Sequence, residues 1–501
     1  MTGRAKGAGA EPPSFSALDK ETACKAFKTK DPRFDGQIFV GVSSTGIYCR
    51  PVCPYKPKLE NCTFFATAAE AERAGYRPCL VCRPEIAPGM APVDAKASLA
   101  RRAAKLLHER CTENISMSRL AAKLGYTDRH LRRAFMEEYR VTPLEYLQTC
   151  RLHLAKQLLT DSDLSIPRVA KAAGFGSTRR FNDVFKERYR LTPTSLRKRR
   201  GKGTAAHGTF TVRLGYRPPY RFGLLLNFFR VRALLGAEAV GDDTYARTVR
   251  VRTDKGVEVA GWIAVEDDPA KNALVVTLSE SLLPVTSQVC ARVRRQFDLD
   301  CDPAAVGDGI RTLDAAMPGS YVPGTRVPGC FDGFETCARA VLGQQVTLAA
   351  ANKLAARIVD AYGASVEAPV EGLARAFPTA SDVLALPSAE EALGTLGVIK
   401  SRSRAIVEIA RLVDAGELTF DGSLPIADQL ETLLAVKGIG PWSANYIAMR
   451  TMGYTDAFLE TDAGIKHALP ELSPAERLKL AEQWRPWRSY ANISLWNALA
   501  K

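Results

Sequence analysis

Two cysteine pairs constrain this chain more than any other feature. Cys49-Arg50-Pro51-Val52-Cys53 is answered by Cys79-Leu80-Val81-Cys82 across a 25-residue insert. That is the spacing of a tetrahedral four-thiolate zinc site. Twelve cysteines in 501 residues, four of them in metal spacing, fit a reducing compartment better than a disulfide framework. Most such sites are purely structural. Four thiolates around Zn²⁺ nevertheless leave a net charge of minus two, which keeps the sulfurs nucleophilic at neutral pH. Around the pairs, 37–42 and 62–65 read as strands and 66–74 as a helix ended by Gly75. Cys24 and Cys62 are rival thiols, Cys62 in a strand-like run where burial is expected.

The run Gly41-Val42-Ser43-Ser44-Thr45-Gly46-Ile47-Tyr48-Cys49-Arg50-Pro51, with Arg77-Pro78-Cys79, resembles the methyl-accepting domain of the Ada DNA-repair regulators. The resemblance covers residues 14–92. It implies one Zn²⁺ held by Cys49, Cys53, Cys79 and Cys82, with Cys49 accepting a methyl group from a methylphosphotriester in a single irreversible turnover. Methylation turns one thiolate into a neutral thioether, so repulsion from DNA phosphates falls and DNA affinity should rise.

Such a switch needs a DNA-binding partner domain. The formal charge of +15 and pI near 9.3 point to a polyanion, nucleic acid before membrane. Residues 93–200 carry 24 Lys and Arg against 11 Asp and Glu, so nearly all the excess lies there. The same stretch holds an internal repeat. Arg119-Leu120-Ala121-Ala122-Lys123-Leu124-Gly125-Tyr126 is echoed by Arg168-Val169-Ala170-Lys171-Ala172-Ala173-Gly174-Phe175, and Phe135 with Thr142-Pro143 by Phe185 with Thr192-Pro193. Each unit reads as a helix-turn-helix, joined by a helix over 147–159. A basic helical bundle is the bland alternative. The pair resembles the AraC-type transcription-factor domain. Recognition helices should start near Asp128 and Ser177, presenting Arg129, His130, Arg132, Arg133, Arg179, Arg180 and Asn182 to DNA. Leu131, Phe135, Phe181 and Phe185 are core positions by helical spacing.

A basic, Gly-containing linker over 201–207 leads into 208–318, which reads as α+β. Strands are expected at 209–214, 249–252 and 273–278, and helices at 222–235 and 287–297. Tyr216-Arg217-Pro218-Pro219-Tyr220 resembles the opening of the N-terminal domain of AlkA-type DNA glycosylases, which implies a supporting role.

From 319 to 501 apolar helical periodicity dominates, so an all-α domain is expected. Its centre is Val436-Lys437-Gly438-Ile439-Gly440-Pro441-Trp442, a helix-hairpin-helix whose Gly438 and Gly440 backbone amides can hold one DNA phosphate. Gly-x-Gly alone more often just ends a helix. Phe458-Leu459-Glu460-Thr461-Asp462 follows about 20 residues on, at a spacing that resembles the helix-hairpin-helix glycosylases. That resemblance implies Asp462 as the catalytic carboxylate, with Asp456 and Glu460 as rivals; an N-cap for the next helix is its ordinary role. It also implies a base pocket from Trp442, Tyr446 and Trp496, with a cation–π gain for a cationic base. Trp442 stands where lyase-competent relatives carry a lysine, so hydrolysis without strand nicking is expected. Gln345 occupies the position of the family's leucine wedge, and Asn497 follows Trp496 where an aromatic is usual.

Together the pieces resemble an Ada–AlkA fusion: a methylation-sensing transcription activator joined to an alkylbase glycosylase. The implied partners are alkylated and promoter double-stranded DNA and RNA polymerase. A monomer is expected, because two helix-turn-helix units sit in one chain. No run of about 18 apolar residues spans a bilayer. Residues 1–13 read as a disordered tail rather than a signal peptide, so a bacterial, cytoplasmic, nucleoid-associated protein is expected. No Pro-Cys-His-Arg motif is present, so O6-alkylguanine repair is not expected. The alternative is a regulator whose glycosylase-like half only binds DNA.

Overall fold

The computed structural model describes residues 20–31, 34–55, 57–87, 99–198, 208–253 and 255–499. The tail 1–13 and the linker 201–207 lie outside them.

The N-terminal unit is a four-stranded sheet ordered Cys62–Phe65, Phe39–Val42, Ile47–Cys49, Arg77–Pro78. The last two strands run parallel, with Tyr48 beside Pro78. Cys49 therefore ends one strand beside the point where Cys79 leaves the next. The expected helix is shorter than read, Ala68–Arg73, because Thr67 caps it by accepting the Glu70 N–H.

Next come the two helix-turn-helix units. Met117–Lys123 with Asp128–Tyr139, and Ile166–Ala172 with Thr178–Tyr189, flank a linking helix Pro143–Asp161. Thr127 and Ser177 cap the second helix of each unit. Leu131, Phe135, Phe181 and Phe185 are fully buried, as their spacing requires. The linking helix is longer than its sequence reading because a Thr142–Glu145 capping box starts it a turn earlier.

A five-stranded antiparallel sheet follows, ordered Thr209–Gly215, Ala273–Ser279, Glu258–Asp268, Thr244–Arg252, Glu238–Val240. Its central strand, Glu258–Asp268, escaped the sequence reading. The segment has no clean polar alternation and contains Gly261, where a Cβ would fall 2.3 Å from Ser279 Oγ. The helix Phe222–Arg230 packs beside the sheet and stops short of the expected 235, in a loop that leads to the edge strand.

The C-terminal part is helical among the described residues, apart from a ribbon pairing Ala364–Ser365 with Arg375–Ala376. One apolar core runs unbroken from the helix-turn-helix units into the sheet. A second lies among the helices between 334 and 447. A third joins residues 301–313 to the C-terminal helices. Tyr446 borders the second and third cores, and Trp496 the first and third, which places both at the seam between them.

Candidate functional site

The sulfurs of Cys49, Cys53, Cys79 and Cys82 all lie within 4.8 Å of one another. Zn–S bonds of about 2.3 Å hold tetrahedral sulfurs just under 4 Å apart, so this donor set fits one Zn²⁺ with no other ligand. Crowding makes the thiols compete for protons. Hydrogen bonds with Cys53, Cys79 and Cys82, then burial, raise Cys49, while the bond with Cys49 lowers Cys79. Cys79 Sγ accepts the Val81 N–H and Cys82 Sγ the Arg50 N–H, each at 3.3 Å, and a backbone bond from Tyr55 reaches Cys53. Among the described residues no backbone N–H is found on Cys49 Sγ. The rivals sit elsewhere: Cys24 and Cys62 pack against the Phe27–Phe64 cluster. Cys62 is only half-buried, and burial raises its thiol pKa.

Around the cluster lies a layer of buried charge that the sequence did not announce. Arg50 pairs with Asp35 and donates to the Cys82 carbonyl at 3.2 Å. Arg217, from the α+β domain, donates to the Asp35 carbonyl at 2.9 Å. One face of the linking helix reads the zinc unit: Thr149 bonds Glu72, His153 lies 2.8 Å from Tyr48 Oη, and Lys156 donates to the Cys79 carbonyl at 2.9 Å. Lys156 is fully buried and pairs with Glu85 at 2.5 Å. Burial alone would raise Glu85, but Lys156 and Arg83 hold it down at about 2.

On the helix-turn-helix units, Arg129, His130, Arg132, Arg133, Arg179, Arg180 and Asn182 are all exposed. Arg132 is paired with Asp128 at 2.9 Å, and His130 stacks on Tyr126.

The second site is a cavity of about 410 Å³ lined by Trp442, Tyr446, Asp462 and Trp496. Trp442 and Tyr446, one turn apart on the helix Pro441–Thr451, lie nearly parallel with centroids 5.2 Å apart. Asp462 caps the helix Ala463–Ala468, its Oδ1 accepting Gly464 N–H at 2.8 Å and Ile465 N–H at 3.2 Å. Its capping role and its place in the cavity coexist. Trp496 Nε1 also donates to Oδ1 at 2.8 Å, and Trp442 Nε1 donates to Oδ2 at 3.3 Å. A Cβ on residue 464 would stand 2.7 Å from the Trp496 ring, so glycine there lets the indole reach the carboxylate. Of the rival carboxylates, Asp456 is consumed by Arg485 and Arg488, and Glu460 does not line the cavity.

Beside the mouth, Gly438 (φ +99°) and Gly440 are exposed around buried Ile439. Gln345 is exposed with φ +53°. Its neighbour Gln344 donates to the Gly438 carbonyl at 2.9 Å and to Ser443 Oγ at 3.1 Å, tying the Gln345 loop to the hairpin. Two residues of the cavity region escaped sequence reading. Phe228, from the α+β domain, stacks on Trp496 at 6.5 Å, and the Arg232 guanidinium caps Phe228 at 3.8 Å. No local motif marks either; both arrive by domain packing.

Four family models match in chain order: the metal binding domain of Ada (22–85), a helix-turn-helix domain (120–199), the AlkA N-terminal domain (211–332) and the HhH-GPD superfamily base excision DNA repair protein (338–486). A Mycobacterium tuberculosis protein named "probable bifunctional transcriptional activator/DNA repair enzyme AlkA" is 36% identical over 491 residues, 96% of this chain and 97% of its own. DNA-3-methyladenine glycosylase 2 of Escherichia coli is 36% identical over 283 residues, 56% of this chain and 95% of that one. The bifunctional transcriptional activator/DNA repair enzyme AdaA of Bacillus subtilis is 30% identical over 177 residues, 35% of this chain and 81% of that one.

Proposed function

The chain belongs to the family of bifunctional transcriptional activator/DNA repair enzymes that join an Ada-type half to an AlkA-type half, and from that membership we propose two chemistries on one polypeptide. The C-terminal half is a DNA glycosylase that hydrolyses the N-glycosidic bond of 3-methyladenine-type bases. The N-terminal half accepts a methyl group from a methylphosphotriester on Cys49 and then activates transcription of alkylation-repair genes. The pairing of Asp462 with two tryptophan indoles inside a cavity carries the first reading.

A base flipped into the cavity stacks beside Trp442, Tyr446 and Trp496. Among the described residues Asp462 Oδ1 already takes three donors, whereas Oδ2 takes only the long Trp442 bond. Oδ2 is therefore the oxygen that faces the sugar, stabilises its developing positive charge and orients the attacking water. Gly438 and Gly440 hold a phosphate, and Gln345 enters the gap that the flipped base leaves. Among the described residues no lysine lines the cavity, so the product is an abasic site without a nick.

Zn²⁺, when held by the four cysteines, keeps their sulfurs deprotonated at neutral pH. Cys49 Sγ then attacks the methyl carbon of the triester; an S–C bond forms, the C–O bond breaks, and the phosphodiester leaves as an anion. Backbone N–H groups draw electron density from Cys53, Cys79 and Cys82, which leaves Cys49 the most nucleophilic sulfur. The exposed Arg and Asn side chains of the two recognition helices bind promoter DNA as a monomer and present it to RNA polymerase in the cytoplasm.

The test is release of free base from methylated duplex DNA by the full chain and by Asp462→Asn. Release by wild type only, without nicks, supports the enzyme. Release by neither makes the C-terminal half a DNA-binding module of a regulator.

A further inference from the structure

Asp462 reaches the cavity at the end of a turn, and side chains that do not line the cavity fix that turn. The Asp462 N–H donates to the Leu459 carbonyl at 2.9 Å, closing Leu459-Glu460-Thr461-Asp462 into a four-residue turn. The carboxylate projects from its last residue. Any shift of the turn is therefore passed on to Oδ2.

One face of the helix Arg488–Leu499 grips the chain leading into the turn. Ser489, Asn492 and Trp496 stand at i, i+3 and i+7, which is a single stripe of that helix. Ser489 Oγ donates to the Tyr454 carbonyl at 2.7 Å and accepts the Ala457 N–H at 3.0 Å. Asn492 Oδ1 accepts the Leu459 N–H at 3.2 Å, and Trp496 Nε1 donates to Asp462 Oδ1 at 2.8 Å. The loop is laid along the helix in order, and Asn492 holds the residue whose carbonyl holds Asp462. A second helix, Pro474–Ala481, supplies Arg477. Its Nη1 donates to the Glu460 carbonyl inside the turn and its Nε to the Leu469 carbonyl, each at 3.2 Å. Leu469 caps the far end of the helix that Asp462 begins.

Neither residue is what stability alone would select. Asn492 is fully buried, and its Nδ2 has no hydrogen-bond partner among the described residues. A buried amide with one group unmet is costly, which weighs against a purely structural role. Arg477 is 5% exposed, and among the described residues it bonds carbonyls and pairs with no carboxylate. A guanidinium buried without an anion gives up hydration for those two bonds.

We propose that Asn492 and Arg477 are positioning residues for base release, a role that rests on the glycosylase reading. They fix the Leu459–Asp462 turn and so hold Asp462 Oδ2 against the sugar, and neither lines the cavity that takes the base.

Two duplex probes read the aim of Asp462 without any chemistry. One carries a pyrrolidine in place of the sugar, whose protonated nitrogen stands in for the developing sugar cation; the other carries the neutral tetrahydrofuran. Zinc-loaded full-length protein should bind the pyrrolidine duplex more tightly, and the ratio of the two affinities measures how well the carboxylate is placed. Asn492→Leu should cut that ratio by about tenfold or more, with tetrahydrofuran affinity nearly unchanged. The kcat for base release from methylated duplex should fall by a similar factor at nearly constant KM. Arg477→Met keeps the aliphatic stem, should behave alike, and answers the question if Asn492→Leu misfolds. A ratio kept at the wild-type value, with both duplexes bound less well as in a merely structural role, overturns the assignment and leaves the glycosylase reading standing. Equal binding of the two duplexes by wild type, with no base release, overturns both.

Discussion

The zinc centre takes its four sulfurs from two neighbouring strand ends within residues 49–82, whereas the base cavity gathers Phe229, Trp442, Asp462 and Trp496 from two domains. A locally closed site is stapled by its own ligands and shut in by buried ion pairs such as Arg50–Asp35 and Lys156–Glu85. A site at the seam of three cores depends on how those cores dock, and it stays open enough to take a base. Single-turnover chemistry suits the first arrangement and repeated entry and release of substrate the second.

Asp462→Asn gives the sharpest test of that contrast. Base release should fall by roughly a thousandfold, the scale of a lost acid–base group. Methyl uptake by Cys49, read by peptide mass spectrometry, should be unchanged. Loss of both would show that the sites are not separate.

Lys156→Met probes the other side. It leaves Glu85 and the Cys79 carbonyl without their buried ammonium, which costs on the order of 3 kcal/mol. Zinc should pass to a chelator faster while base release stays near wild type. Trp496→Phe keeps the stack on Phe228 but removes the indole N–H from Asp462; one lost charge-assisted bond predicts a fall in base release of about tenfold.

The two regions should also respond oppositely to pH. Glu85 is held at about 2, below its ordinary 4.5. Its contribution to stability is therefore present above about pH 4.5 and lost as the pH falls through about 2. Asp298, half-buried and hydrogen-bonded by Tyr490 between the sheet domain and the C-terminal helices, is raised by desolvation to about 7. Its contribution is full below its ordinary 3.8 and is lost as the pH rises through about 7. Asp298→Asn should therefore unfold at higher temperature than wild type at pH 8 and lose that advantage at pH 5. The shift should be a few degrees, read by calorimetry.

How legible each site is in the sequence follows from how it is built. Cysteine spacing, the helix-turn-helix repeat and the Gly-x-Gly hairpin are short-range signals, so the residues they mark meet in space. Trp442 and Tyr446 are one helical turn apart, and Asp462 must cap the helix that follows it. Phe228, Arg232 and Lys156 were silent because nothing near them in sequence says what they will face. Lys156 reads as an ordinary helix cation until the zinc unit docks on it. Gly261 hid a whole strand, since the glycine that weakens strand propensity is what lets Ser279 approach.

On the proposed function, one chain carries a stoichiometric site and a catalytic one. The most direct measurement follows a single reaction of zinc-loaded full-length protein with excess methylated duplex, reading free base and intact protein mass together. Released base should climb well past one per protein while the protein gains one methyl and no more, on Cys49. Base release that halts at or below one per protein, or a methyl group on a cysteine other than Cys49, would contradict it.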